Sequence, residues 1–350
     1  MKKMLAMLLA LVMILGLAAC ASTKPAADAT ATSEPSNTGD SASAETSAEA
    51  SDAAPAESGK TYTVGVCQLV QHEALDAATQ GFVDALKEAL GDAVTIDVQN
   101  ASGDSVNCGT IVNGFVAKGV DLIMANATPA LTAAVSATAD IPILGTSITA
   151  YGVALDIDDF NGTVGGNVSG TSDLADLQKQ AQMILDWFPE TKTVGLLFCS
   201  AEPNSRYQID EVRKALEAQG VTCEEFAFTD SNDVSSVTQK AADFSDVVYI
   251  PTDNTAASNT EAIANVLIPA GVPAICGEEG LCRGCGVATL SISYYDLGVT
   301  TGEMAAKILK GEANISEMPV EYTDATPKYN ASICDQLGIT PLDGYEAIEG

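Results

Sequence analysis

Two similar α/β lobes, each a parallel sheet flanked by helices with a cleft between them, are what this sequence predicts. Three observations carry the expectation: an internal repeat, an alternation of short apolar strands with helices inside each copy, and polar loops at the strand exits. The repeat is the strongest. Thr63-Val64-Gly65-Val66 returns as Thr193-Val194-Gly195-Leu196, Asp121-Leu122-Ile123-Met124 as Asp246-Val247-Val248-Tyr249, and Ile141-Pro142-Ile143 as Val272-Pro273-Ala274. The landmarks keep their order at a separation of about 130 residues, as a duplicated structural unit requires.

Within the first copy, Leu75, Ala78, Phe82, Leu86 and Leu90 recur at helical spacing and stop at Gly91. Val94 to Val98 then reads as a strand, and the segment from Asp104 to Lys118 as a second helix ahead of the strand at Asp121. The second copy repeats this with a helix from Ser205 to Gln219, a strand from Val221 to Phe228 and a helix from Asp233 to Phe244. Strands alternating with helices imply parallel sheets covered on both faces.

Ligands of open parallel sheets sit outside the carboxyl ends of the strands, where helix N-termini also point. That rule selects Gln68 to Asp76, Asn126 to Ala130, Gly145 to Tyr151, Cys199 to Tyr207, Pro251 to Thr255 and Cys276 to Gly280. Asp253 and Asn254 either cap the helix that follows or meet a ligand; four polar residues in succession favour contact, since a cap needs one. Asn204 and Ser205 pose the same choice. Glu278 and Glu279 fit a solvated surface equally well. Tyr294 and Tyr295 read as core packing ahead of a helix carrying Leu297, Thr301, Met304 and Ile308.

Catalytic chemistry finds no constellation. His72 is the single histidine, and neither a G-x-S-x-G elbow nor a P-loop is present. Gly162 to Gly170, GTVGGNVSG, lacks dinucleotide-binding spacing and reads as a linker or crossover. The net charge of −31, from 47 acids against 16 bases, argues against nucleic acid as a partner. Three arginines (Arg206, Arg213 and Arg283) leave little for clamping a polyanion.

At the N-terminus, Lys2 and Lys3 precede an apolar run from Met4 to Leu17, and Leu17-Ala18-Ala19 leads into Cys20. This has the form of a lipoprotein signal, with cleavage before Cys20 and lipidation of its thiol. Residues 21–59, almost entirely small, polar and acidic, read as a flexible tether. Of nine cysteines, Cys20 aside, eight remain, and their pairing is not readable from spacing. Cys282 and Cys285 form one C-x-x-C, with Cys276 just before; without a second such motif or a nearby histidine, structural or free thiols fit better than a metal site.

The stretches VQHEALDAATQGFVDALKEAL, LIMANATPALTAA, VYIPTDNTAAS and LSISYYDLGVTTGEMAAKILKGE, taken in this order, resemble the substrate-binding proteins of ABC transporters. The group includes lipoproteins that bind tryptophan, phenylalanine or tyrosine. The resemblance covers about Tyr62 to Pro341. It implies a type I periplasmic-binding-protein fold whose lobes close on a ligand, with crossovers near Asn167 to Ser172, Leu290 to Ser293 and Met318 to Thr323. The implied division places 60–170 and 292–350 in the first lobe and 171–291 in the second.

The resemblance carries a ligand-binding role onto Gln68, His72, Asp76, Thr128 and Pro129 in the first lobe, and the Gly145 to Tyr151 loop adds Thr149 as a candidate. In the second it points to Asn204, Ser205, Asp253, Asn254 and Glu279. An amino acid is the implied ligand, with Asp253 for its ammonium group and Asn204, Ser205 and Thr128 for its carboxylate. No enzyme activity, cofactor, metal or nucleic acid is expected. The expected partners are a permease in the membrane that holds the lipid anchor and a small-molecule ligand, and the protein itself is expected to be a monomer. A sugar or nucleoside ligand, a tethered sensor or adhesin without transport, and a hydrolase using His72 are the alternatives.

Overall fold

The computed structural model of the protein describes residues 59–349; the export signal, Cys20 and nearly all of the tether lie outside them. The chain first lays down β1 (Tyr62–Gln68), α1 (Glu73–Leu90), β2 (Val94–Asn100), α2 (Ser105–Lys118), β3 (Leu122–Asn126), α3 (Thr128–Ala137), β4 (Ile143–Ile148), α4 (Tyr151–Ala154) and β5 (Val168–Ser172). After a crossover come α5 (Leu177–Trp187), β6 (Thr193–Cys199), α6 (Pro203–Glu217), β7 (Thr222–Phe228), α7 (Val234–Phe244) and β8 (Val247–Ile250). The second lobe continues through α8 (Asn254–Ala257), α9 (Thr260–Ala270), β9 (Ala274–Cys276), α10 (Glu279–Cys285) and β10 (Ala288–Ser291). Next, α11 (Tyr294–Lys310) and β11 (Glu321–Tyr322) return to the first lobe. Finally, β12 (Thr326–Tyr329), α12 (Ala331–Leu337) and β13 (Glu346–Ala347) lie again in the second.

The first sheet has the order β11-β5-β4-β3-β1-β2 and the second β13-β12-β10-β9-β8-β6-β7. All pairings are parallel except β10 with β12. Two expectations are corrected here. Residues 292–350 do not all belong to the first lobe, because β12 pairs with β10 and β13 with β12 in the second sheet. The glycine-rich stretch is only partly a linker, since Val168 to Gly170 are strand residues of β5 paired with β4. The three crossovers fall between β5 and α5, between β10 and α11, and between β11 and β12.

The sequence repeat has a structural cause. Asp121 accepts a hydrogen bond from the Thr63 amide at 2.7 Å, closing the base of β3 onto β1. Its twin Asp246 accepts from the amides of Lys192 and Thr193, both at 2.9 Å. Those backbone donors hold the Asp246 carboxyl below its ordinary range. Gly65 and Gly195 are likewise paired: a Cβ on Gly65 would enter the Phe115 ring, and one on Gly195 would strike the Ser245 hydroxyl. Each core lies on both faces of its sheet, with Phe115, Ile123 and Leu131 on one side of the first and Phe82, Met124 and Leu309 on the other.

α1 and α11 meet backbone to backbone. A Cβ on Gly81 would collide with the Tyr295 carbonyl, and one on Gly298 with the Ala78 carbonyl. This close joint fixes the start of α1, and with it His72, relative to the second crossover.

Candidate functional site

The strand exits of the two sheets face each other, and they bury an unusual amount of polar chemistry. Gln68, Asn126, Thr128, Ser147, Thr149 and Asp173 are buried on the first-lobe side. Glu202, Asn204, Ser205, Asp253 and Glu278 are buried opposite them. No lysine or arginine among the described residues is buried, so the carboxylates are not neutralised by bases in the interior.

The lobes stand in direct contact across this cleft. His72, at the N-cap of α1, brings Nε2 to 3.3 Å from Asn254 Oδ1 at the start of α8. Glu73 meets Arg283 of α10 at 2.8 Å. At the hinge, the Tyr294 hydroxyl donates to Asp173 Oδ2 at 2.9 Å, joining the residues that follow the first and second crossovers.

Most of the buried acids are committed to holding loops. Asp253 caps α8: one carboxylate oxygen accepts from the Ala256 amide at 2.8 Å and the other from the Cys199 amide at 2.6 Å. Each oxygen is thus engaged by a backbone amide, which favours the capping role of Asp253 over the expected ammonium contact. Burial, then the nearby Glu202 charge, pushes its pKa up to about 8. Glu202 accepts from the Asn254 and Thr255 amides at 3.0 and 2.9 Å and from both of their side chains. Glu278 caps α10 through Gly280 and Leu281, and burial raises its pKa to about 7.

Asp173 is different. Its Oδ1 is buried with no hydrogen-bond partner among the described residues, while Oδ2 takes the Tyr294 hydroxyl. Burial raises the Asp173 carboxyl, partly offset by the Tyr294 hydroxyl, then by the Thr149 hydroxyl close by and by its own backbone amide. Burial and the charges of Asp173 and Glu278 push the Tyr294 phenol far above its usual value, so it stays a donor. Four of the other buried atoms without partners among the described residues, Asn126 Oδ1, Ser147 Oγ, His72 Nδ1 and Asn204 Oδ1, belong to strand-exit loops; Trp187 Nε1, Arg213 Nε, Arg283 Nε, Thr289 Oγ1 and Thr323 Oγ1 are the remainder. Buried polar atoms are normally paired, so such a group at one cleft has the form of a ligand site. The backbone agrees: Ala127 (φ 86°) and Ser147 (φ 55°), at the exits of β3 and β4, hold a conformation costly for residues with a Cβ.

The remaining expected residues fall into place as follows. Asn204 donates to the Thr252 carbonyl at 3.1 Å and stands in the cleft. Thr128 and Pro129 open α3, and Pro129 lines a pocket of about 520 Å³ at the cleft mouth together with Leu69, Gly103, Glu202 and Asn254. Thr149 is buried at the exit of β4, where its carbonyl accepts from Ser172 Oγ at 3.1 Å. Ser205 is fully buried behind the loop that ends β6.

Gln68 and Asp76 form a brace, the Gln68 amide donating to the Asp76 carboxylate at 2.6 Å. Asp76 itself is exposed on the first turn of α1. Glu279 is half-buried, its carboxylate engaged by Arg283 at 2.8 Å and Lys328 at 2.6 Å, ion pairs that account for its position without a ligand. Cys282 and Cys285 are buried free thiols on α10.

The acids that matter to the cleft but escaped sequence reasoning are Asp173 and Glu202. Asp173 directly follows β5, so the strand-exit rule reaches it once that strand is recognised.

Two lobes whose facing strand exits enclose a cleft with buried acids and no buried lysine or arginine have the form of a solute-binding protein. The family model for ABC transporter substrate binding proteins matches residues 63–344, and the chain belongs to that family. It is 33% identical to a tyrosine-binding protein of Clostridioides difficile over 77% of this chain and 79% of that one. A Streptococcus pneumoniae domain in complex with L-Trp is 32% identical and superposes with a TM-score of 0.78, covering 83% of this chain and 100% of that one. A ligand-free, open substrate-binding protein from Clostridium difficile with adhesive properties is 34% identical but reaches only 0.63, over 83% of this chain and 99% of that one. At similar identity the chain thus fits the ligand-bound relative better than the open one, as its cross-cleft contacts require. The fold is of the type I periplasmic-binding-protein kind, and the family is one of solute-binding proteins rather than enzymes.

Proposed function

We propose that the protein captures an aromatic amino acid between its lobes and delivers it to an ABC permease. It works outside the cytoplasm as a monomer, tethered through lipid on Cys20. The observation that carries the amino-acid reading is Asp173, a buried carboxylate with one oxygen held by Tyr294 and the other unpartnered among the described residues. An ammonium group matches it in charge and in donor count. Ser147 and the first turn of α3 supply neutral donors for the ligand carboxylate, which suits a cleft without buried lysine or arginine, whereas Asn204, its amide already donating to the Thr252 carbonyl, offers an acceptor. The aromatic side chain is supported by the tyrosine-binding relative and the L-Trp complex. His72, Asn254, Thr128, Pro129 and Thr149 complete the walls.

Closure completes this site from both lobes, so the loaded protein presents a different surface from the empty one. Isothermal titration calorimetry against L-tyrosine, L-tryptophan, L-phenylalanine, a sugar panel and a nucleoside panel tests the reading. Binding of an aromatic amino acid and of neither panel is expected. Binding of a sugar or nucleoside in their place would overturn it.

A further inference from the structure

Both lobes carry more acids than bases, so closing the cleft brings two negative bodies together. Among the described residues a single ion pair crosses it, Glu73 to Arg283 at 2.8 Å. Glu73 opens α1 in the first lobe and Arg283 lies on α10 in the second. Arg283 is held for this task from behind. Its other terminal nitrogen meets Glu279 at 2.8 Å, and Glu279 in turn meets Lys328 of β12 at 2.6 Å. The chain Glu73–Arg283–Glu279–Lys328 therefore ties α1 to α10 and to the C-terminal strand that returns to the second lobe.

The backbone is shaped to allow it. Gly280 lets the start of α10 approach Glu73, whose Cβ would lie 3.3 Å from a Cβ placed on that glycine. Beside the pair is a pocket of about 280 Å³ lined by Gln71, His72, Glu278 and Arg283, which leaves the ions open to solvent and salt.

We propose that Glu73 and Arg283 are positioning residues that latch the closed cleft, setting how long the ligand stays without contacting it. The inference rests on the family's solute-binding role and on the cleft assigned above. With Glu73 and Arg283 side chains 48% and 37% exposed, the pair belongs to the modest class of surface ion pairs. Losing it should raise the ligand dissociation rate by about threefold and leave association nearly unchanged.

The test compares wild type, Glu73→Gln, Arg283→Gln and the exchanged pair Glu73→Arg with Arg283→Glu. Dissociation of L-tyrosine and of L-tryptophan is followed by stopped flow across a salt series, and the radius of gyration of each ligand-free protein by small-angle X-ray scattering. The latch predicts faster dissociation in both single variants, a flatter salt dependence, a larger mean radius, and recovery toward wild type in the exchanged pair. Unchanged dissociation and radius in the single variants would overturn it, as would single-variant losses that the exchange fails to restore. If neither amino acid binds wild type, the ligand assignment fails, while the scattering series still decides the latch.

Discussion

The Tyr294 hydroxyl donates to Asp173 Oδ2 at 2.9 Å, and this bond ties two of the three crossovers at the floor of the cleft. It holds one oxygen of a buried carboxylate and leaves the other, Oδ1, for the ligand ammonium of the proposed function. Replacing Asp173 by Asn should cut amino-acid affinity about a hundredfold, since a buried charge pair loses one member. Tyr294→Phe should cost about tenfold, because it removes one charged hydrogen bond and leaves the carboxylate in place. Calorimetric titration with L-tyrosine and L-tryptophan reads both; an Asp173→Asn protein that binds like wild type would place the ammonium elsewhere.

Asp253 should behave as a structural residue. Removing its side chain strands the Cys199 and Ala256 amides, both buried, at 2.6 and 2.8 Å from the lost oxygens. Asp253→Ala should lower the unfolding free energy of the ligand-free protein by about 3 kcal/mol. Urea denaturation measures this, and ligand-free stability equal to wild type would return Asp253 to the ligand.

How much of this was legible in the sequence follows from what each residue bonds. The repeat exposed the lobes because Asp121 and Asp246 do the same backbone work in each copy, as do Gly65 and Gly195. The strand-exit rule also selected loops that the structure brings to the cleft, including those of His72, Asn204 and Asn254. It could not rank the acids in them. Asp253, Glu278 and the Glu202 it passed over all stand at strand exits, yet their oxygens are taken up by backbone amides, of neighbouring loops for Asp253 and Glu202 and of its own helix for Glu278. Asp173 was hidden because β5 begins inside a glycine-rich stretch that reads as a linker. The C-terminal strands were misplaced for a related reason: β12 and β13 are short, and β12 pairs antiparallel to the repeat's pattern.

Glu278 gives the protein a pH signature. Its folded pKa of about 7 lies above the ordinary 4.5 because burial disfavours the charged form. The folded state therefore holds more protons than the unfolded one between those values. Its contribution is complete below pH 4.5 and is lost as pH rises through about 7. Asp253, raised to about 8, acts in the same sense. His72 acts oppositely, since burial lowers its pKa from 6.5 and its share is lost on acidification. Glu278→Gln should therefore flatten the decline in unfolding free energy toward alkaline pH by about 3 kcal/mol relative to wild type. Parallel wild-type and variant curves in urea titrations across that range would refute the assignment.

The joint between α1 and α11 can be tested by adding one carbon. Gly298 sits against the Ala78 carbonyl and Gly81 against the Tyr295 carbonyl, so neither position has room for a Cβ. Gly298→Ala must part the helices or bend one of them, at a cost of about 3 kcal/mol. Gly114, on α2, provides the control: nothing lies within 4 Å of a Cβ built there. Gly114→Ala should stabilise the protein by about 0.5–1 kcal/mol, because alanine loses less backbone freedom on folding. Both substitutions make the same covalent change in a helix interior, so the difference between their unfolding free energies reports the helix contact. Because α1 begins at His72 and α11 at Tyr294, loss of that contact should also weaken amino-acid binding in Gly298→Ala, whereas Gly114→Ala should bind like wild type. Equal stabilisation by the two substitutions would show that the helices do not meet backbone to backbone.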